Sequence, residues 1–113
     1  MKFKEDDLQK RVARYLDVKK VLWFHCANER RTTMQAGARL KAKGVKSGVP
    51  DCLILKTNTI YNGLAIELKI KPNKPTAKQI EWLDKLTNEG WKTAICFSFD
   101  EALKEIDEYL LIK

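Results

Sequence analysis

The sequence predicts an α/β fold, a mixed central sheet flanked by helices in the order α-β-β-β-α-β-α. Three observations carry that expectation. Leu8, Val12 and Leu16 recur every fourth residue, the apolar stripe of an amphipathic helix. Short apolar runs bounded by turn residues recur along the chain and read as strands. Thr76-x-x-Gln79 and Ser98-x-x-Glu101 have the spacing of capping boxes, which open helices.

The first helix is expected from about Lys4 to Val18. Val21 to Cys26 is short, apolar and aromatic, and reads as a buried strand. Residues 28 to 48 are polar and basic and are punctuated by Gly37, Gly44 and Gly48; they are expected to be part helix and part loop. Cys52 to Lys56 reads as the second strand, Asn58 to Gly63 as turn, and Leu64 to Ile70 as the third strand. Pro72 and Pro75 break the chain before a helix opens at Thr76, runs to about Asn88 and stops at Gly90. Thr93 to Ser98 is the last strand, and a helix capped by Ser98 follows to about Leu110.

Length and composition suit one soluble globular domain over residues 1–113, with 44% hydrophobic and 33% charged residues. No apolar run approaches a membrane span, and the first residues are too polar for a secretion signal. The surplus of 22 Lys+Arg over 15 Asp+Glu, a net charge of +7, favours a polyanionic partner, nucleic acid being the commonest. The three cysteines Cys26, Cys52 and Cys96 lie in apolar stretches without a pairing pattern. That argues against a disulfide framework and for a reducing, cytoplasmic setting. A lone His25 without a Cys-x-x-Cys pair argues against zinc, and no Ser or Cys pattern surrounds it for a hydrolase triad. No phosphate-binding Walker loop occurs, so no nucleotide cofactor is expected.

The chemistry concentrates in Pro50-Asp51 and Glu67-Leu68-Lys69. Carboxylates are hard oxygen ligands suited to Mg²⁺ or Mn²⁺, and a neighbouring lysine supplies positive charge where an oxyanion develops. Alternate strand residues share a face. Leu64, Ile66, Leu68 and Ile70 should therefore face the core, with Ala65, Glu67 and Lys69 on the other side. Glu67 and Lys69 then point the same way, about 7 Å apart along the strand. Asp51 can reach them if the two strands pair. An isolated Glu-x-Lys is usually the wet face of a half-exposed strand, and Asp after Pro is ordinary turn chemistry. The conjunction on consecutive strands is what points to a metal site.

Glu5 continues the Leu8, Val12, Leu16 stripe and could approach a metal from the helix; equally, with Asp6 and Asp7, it could simply stabilise the helix dipole. Gln79 has a capping role through Thr76, yet shares the sheet-facing side with Leu83 and Leu86, where its amide could orient a water or phosphate. Arg39, Lys41, Lys43 and Lys46 precede Asp51, and Lys71, Lys74 and Lys78 follow Lys69. Such residues would hold a DNA backbone without reading its sequence, or form solvated faces.

The ordered set resembles the VRR-NUC family, a branch of the PD-(D/E)xK nuclease superfamily. Glu5-Asp6-Asp7-Leu8-Gln9 resembles its opening Glu-x-x-x-Gln helix, and Phe24 to Glu29 its aromatic strand ending in Asn28-Glu29. Gly44-Val45-Lys46-Ser47-Gly48-Val49-Pro50-Asp51 is the closest match, followed in order by Glu67-x-Lys69, Thr76-x-x-Gln79 and Gly90. Thr76 replaces the family's Ser and preserves the cap; the Val-Arg-Arg string is absent. The resemblance implies a restriction-endonuclease-like core and a Mg²⁺- or Mn²⁺-dependent endodeoxyribonuclease. Asp51, Glu67 and the Leu68 carbonyl would hold the metal, with Glu5 on a second metal or its water shell. Lys69 would orient water or stabilise the transition state, and Gln79 would position the nucleophile. Small stand-alone phage and bacterial members are similar to Holliday-junction resolvases, which implies branched or structured DNA and a homodimer. A monomeric flap or single-strand nuclease, or a non-catalytic DNA-binding module, are the alternatives. No role is assigned to His25, Asn28 or Glu29.

Overall fold

A computed structural model describes residues 4–27 and 33–113. Its elements in chain order are α1 (Lys4–Lys19), β1 (Trp23–His25), α2 (Met34–Ala42), β2 (Cys52–Ile54), β3 (Leu64–Leu68), α3 (Ala77–Asn88), β4 (Lys92–Cys96) and α4 (Phe99–Leu111). The four strands lie side by side in chain order, with β1/β2 and β2/β3 antiparallel and β3/β4 parallel. The expected mixed sheet between helices is present, with α2 added to the expected order.

Alternation along β3 builds the core. Leu64, Ile66 and Leu68 join Cys52 and Ile54 of β2, the Leu8, Val12 and Leu16 stripe of α1, and Ala102, Ile106 and Tyr109 of α4 in one buried cluster. Each buried Leu, Ile or Val side chain in it contributes on the order of 2 kcal/mol by leaving water. α3 packs on β3 and β4 outside that cluster, so it covers the opposite face. A wet face for Ala65, Glu67 and Lys69 is therefore not what forms: all five residues of β3 are buried, and Lys69 is only 7% exposed.

Local chemistry sets the helix ends. Thr76 caps α3 with both halves of the box formed, its hydroxyl accepting from Gln79 N while Gln79 Oε1 accepts from Thr76 N. The box expected at α4 forms only half. Ser98 Oγ accepts from Glu101 N, but the Glu101 carboxylate turns back one residue further, to Phe97 N at 2.8 Å. β1 also departs from expectation: it is the sheet's edge strand, not a buried one, and Phe24 is 45% exposed. α2 buries no residue fully, which is why apolar periodicity did not mark it; Thr33 caps it through Ala36 N. Asn28 and Glu29 lie outside the described residues.

One glycine fixes how the α2–β2 connection meets α3. Gly48 has φ +84°, and a Cβ there would stand 2.9 Å from Lys78 backbone carbon and oxygen. Both the left-handed backbone and the contact exclude a side chain. Gly48→Ala is expected to lower unfolding free energy by about 2 kcal/mol or more, read from a urea midpoint. An unchanged midpoint would show that the connection is not pinned there.

Candidate active site

Strand register brings the two acids together. Cys52 is opposite Ile66 and Leu53 opposite Ala65; continuing that antiparallel register by one residue puts Asp51 across from Glu67, side chains on the same face. Asp51 stands where β2 begins, and its side chain supplies the acceptor for the next N–H of β3: Oδ2 accepts from Leu68 N at 2.8 Å. The Leu68 backbone thus sits between Glu67, Lys69 and the Asp51 carboxylate, on the sheet edge that β2 leaves open.

Glu67 is 1% exposed and its Oε1 is buried with no hydrogen-bond partner among the described residues. Lys69 Nζ lies 3.9 Å from its other oxygen. Burial pushes the Glu67 carboxyl up to about 8, the charge and contact of Asp51 push the same way, Lys69 opposes them, and Glu5 adds a smaller push upward. The Lys69 charge does not offset the burial and the neighbouring Asp51 charge, so the site would favour further positive charge.

A cleft of about 1540 Å³ opens over these groups. It is lined by Glu5 from α1, Asp51, Glu67, Leu68 and Lys69 from the sheet, and Gln79 from α3. Every residue singled out for catalysis or metal binding thus borders one space. Gln79 Oε1 is spent on the Thr76 cap, so its NH₂ group is the end that can act in the cleft. Of the basic residues, Lys41, Lys46, Lys71 and Lys78 line the cleft, whereas Arg39, Lys43 and Lys74 are exposed and lie off it.

Two residues given no role from sequence also border it. Gln9, one turn beyond Glu5, meets the buried Cys52 thiol at 3.6 Å through Nε2. Its spacing from Glu5 was a usable signal, since residues four apart share a helix face. His25 Nδ1 is 2.7 Å from the Asp51 carbonyl oxygen. A carbonyl only accepts, so the ring donates through Nδ1 and leaves Nε2 as the acceptor. Nothing local in the sequence announces that bond. The Cys52 and Cys96 thiols, pushed up to about 12 chiefly by burial, are unreactive core groups.

The donors suit a hard divalent cation. No group of three or more His, Cys, Asp or Glu is arranged to hold a metal among the described residues. Mg²⁺, however, keeps several waters and is commonly held by one or two carboxylates. The unpartnered Glu67 oxygen lies opposite Asp51, two carboxylates of the type such a site would use.

Comparison with known proteins agrees with this fold. A solved VRR_NUC domain protein superposes with a TM-score of 0.73 at 24% identity, covering 96% of this chain and 88% of that one. A second structure, of a VRR_NUC domain, gives a TM-score of 0.62 at 20% identity, covering 94% and 97%. At those identities the likeness is one of fold. No curated protein matches the chain. No described helix is long and apolar enough to cross a membrane. The VRR-NUC domain matches residues 3–100, nearly the whole of the chain, and the chain therefore belongs to the VRR-NUC family of nucleases.

Proposed function

We propose that the chain works as a one-domain, Mg²⁺- or Mn²⁺-dependent endodeoxyribonuclease that cuts branched or structured DNA as a homodimer, in the manner of a Holliday-junction resolvase. The observation that carries the metal-dependent part is the buried, unpartnered Glu67 oxygen facing Asp51 across the β2/β3 register. Asp51, Glu67 and the Leu68 carbonyl hold the cation in this reading. A cation bound there lowers the pKa of its water and polarises the scissile phosphate. Lys69, held nearly buried beside Glu67, places its ammonium against charge developing on the phosphate. The Gln79 amide orients the attacking water, and Glu5 takes part in the outer water shell. Lys41, Lys46, Lys71 and Lys78 hold the DNA backbone along the cleft walls. Two such clefts related by a two-fold axis cut two strands of a junction symmetrically.

One gel comparing duplex, flap and four-way junction with Mg²⁺ tests this. Paired symmetric nicks on the junction, made by a protein dimeric in solution, are the expected result. Lys69→Ala should cut about 10²–10³-fold more slowly, the usual loss of one transition-state charge contact. Flap cutting by a monomer would replace the resolvase reading, and salt-sensitive binding without products would make the chain a binding module.

A further inference from the structure

We propose that a groove between α1 and α4, outside the cleft, is a second DNA contact that takes backbone phosphates of the strand leaving the cleft. The nucleic-acid substrate rests on the nuclease reading above; the groove does not rest on the carboxylates. It has a volume of about 260 Å³ and is lined by Arg11, Arg14, Tyr15, Val18 and Phe99. The Arg11 guanidinium carbon stands 4.3 Å above the centroid of Phe99, and Tyr15 meets the same ring edge-on at 6.2 Å. Stacking occupies the face of the guanidinium and leaves its in-plane N–H donors free at the edge, the fork that grips a phosphate through two bonds. Arg14 follows about 5 Å further along the helix.

Neither arginine forms an ion pair among the described residues. Of the acids on the facing helix, Asp107 is engaged by the Tyr15 hydroxyl and by Lys19, Glu101 by Phe97 N and Glu105 by Lys92. Asp7, Asp17, Asp100 and Glu101, the acids within four residues of the groove in sequence, pair with neither arginine, and Asp17 accepts from the Trp23 indole N–H. Two uncompensated guanidinium groups beside an aromatic floor, on a chain of net charge +7, complement a polyanion.

Placement makes the groove an extension of the cleft. β3 and β4 are parallel, and Lys69 N donates to Cys96 O at 3.0 Å. α4 starts at Phe99, just past that point, so its first turn is at the same sheet end as Glu67 and Lys69. Lys71, which lines the cleft, holds Nζ 5.7 Å from the Phe97 ring. Lys4, also on the cleft, precedes Arg11 by two turns of α1, about 10 Å. Lys71 and Lys4 thus stand between the cleft and Arg11 and Arg14, with Asp7 the acid between Lys4 and Arg11 on the same face of α1.

Fluorescence anisotropy of a labelled four-way junction in EDTA, over a salt series, tests the proposal on the full chain. Arg11→Gln/Arg14→Gln is compared with Lys56→Gln/Lys85→Gln, which removes two charges from the ends of β2 and α3 that face away from the cleft. The groove variant should bind about 10-fold more weakly, with the slope of log affinity against log salt shallower by about 1 to 2, because each phosphate contact contributes about 0.9. The distant pair should change affinity less than about 2-fold. Arg11→Lys, which keeps the charge and the fold but not the stack, should fall between wild type and the double variant. Equal affinities and slopes for the groove and distant variants would overturn the proposal. Wild-type cutting in Mg²⁺ is scored in parallel. Loss of binding in the groove variant with no cutting by the wild type would sustain the groove and sink the nuclease reading. Cutting by the wild type with no difference between the two variants would sink the groove alone.

Discussion

Asp51→Asn is expected to lower the single-turnover rate of DNA cleavage by at least about 10³-fold while junction affinity in EDTA stays within about 2-fold of wild type. The separation follows from what the carboxylate does in the fold. Its Oδ2 accepts the Leu68 N–H, and an asparagine Oδ1 can accept the same bond, so the start of β2 and its register with β3 are kept. What asparagine cannot supply is the negative charge that a hard cation requires. Asp51→Ala should lose both the charge and the Leu68 bond, and so lower the urea midpoint as well. Wild-type cutting by a rigorously purified Asp51→Asn protein would remove Asp51 from the chemistry.

The second large effect is on stability. Folding raises the Glu67 carboxyl from its ordinary 4.5 to about 8, burial being the main cause. Between those values the folded chain keeps a proton that the unfolded chain has released. Stability of the metal-free protein should therefore be greatest below about pH 4.5 as far as Glu67 is concerned, and decline as pH rises toward 8. The slope approaches about 1.4 kcal/mol per pH unit for one group. Glu67→Gln removes this contribution, so the wild type should become progressively less stable than Glu67→Gln from pH 5 to pH 8. Mg²⁺ or Mn²⁺ should stabilise the wild type more at pH 8 than at pH 5, because cation and proton compete for the same oxygen. Parallel pH curves for the two proteins would show that Glu67 is not held protonated by the fold.

Most of the fold was legible because local rules and tertiary packing agree at the elements that matter. The Leu8, Val12, Leu16 stripe is the buried face of α1, and the Thr76–Gln79 box opens α3 as spacing alone implies. Alternation in β3 correctly placed Glu67 and Lys69 together, but it could not say that α3 would cover them. Burial of that face is a tertiary fact, and it is what turns an ordinary Glu-x-Lys into a high-energy carboxylate. β1 misled because aromatic, apolar residues also occur on edge strands, where only one neighbour exists to cover them. α2 falls in the segment expected to be part helix, but its bounds were not legible: a helix lying along the cleft with no fully buried residue leaves no apolar stripe, and Gly37 interrupts its propensity. At the site, Asp51 opposite Glu67 needed only the assumption that consecutive strands pair. The His25–Asp51 carbonyl and Gln9–Cys52 contacts span 26 and 43 residues, and no sequence spacing encodes them. Arg11 on Phe99 belongs to the same class, a pair made only when α1 and α4 pack together.

The claim at the centre is that the Asp51–Glu67 pair serves a divalent cation that cutting requires. Cleavage of a labelled four-way junction by purified protein, followed as Mg²⁺ or Mn²⁺ is titrated into an EDTA-treated sample, tests it most directly. No product is expected without the cation, and the rate should rise to saturation as it is added. Products formed at an undiminished rate in excess EDTA would contradict it.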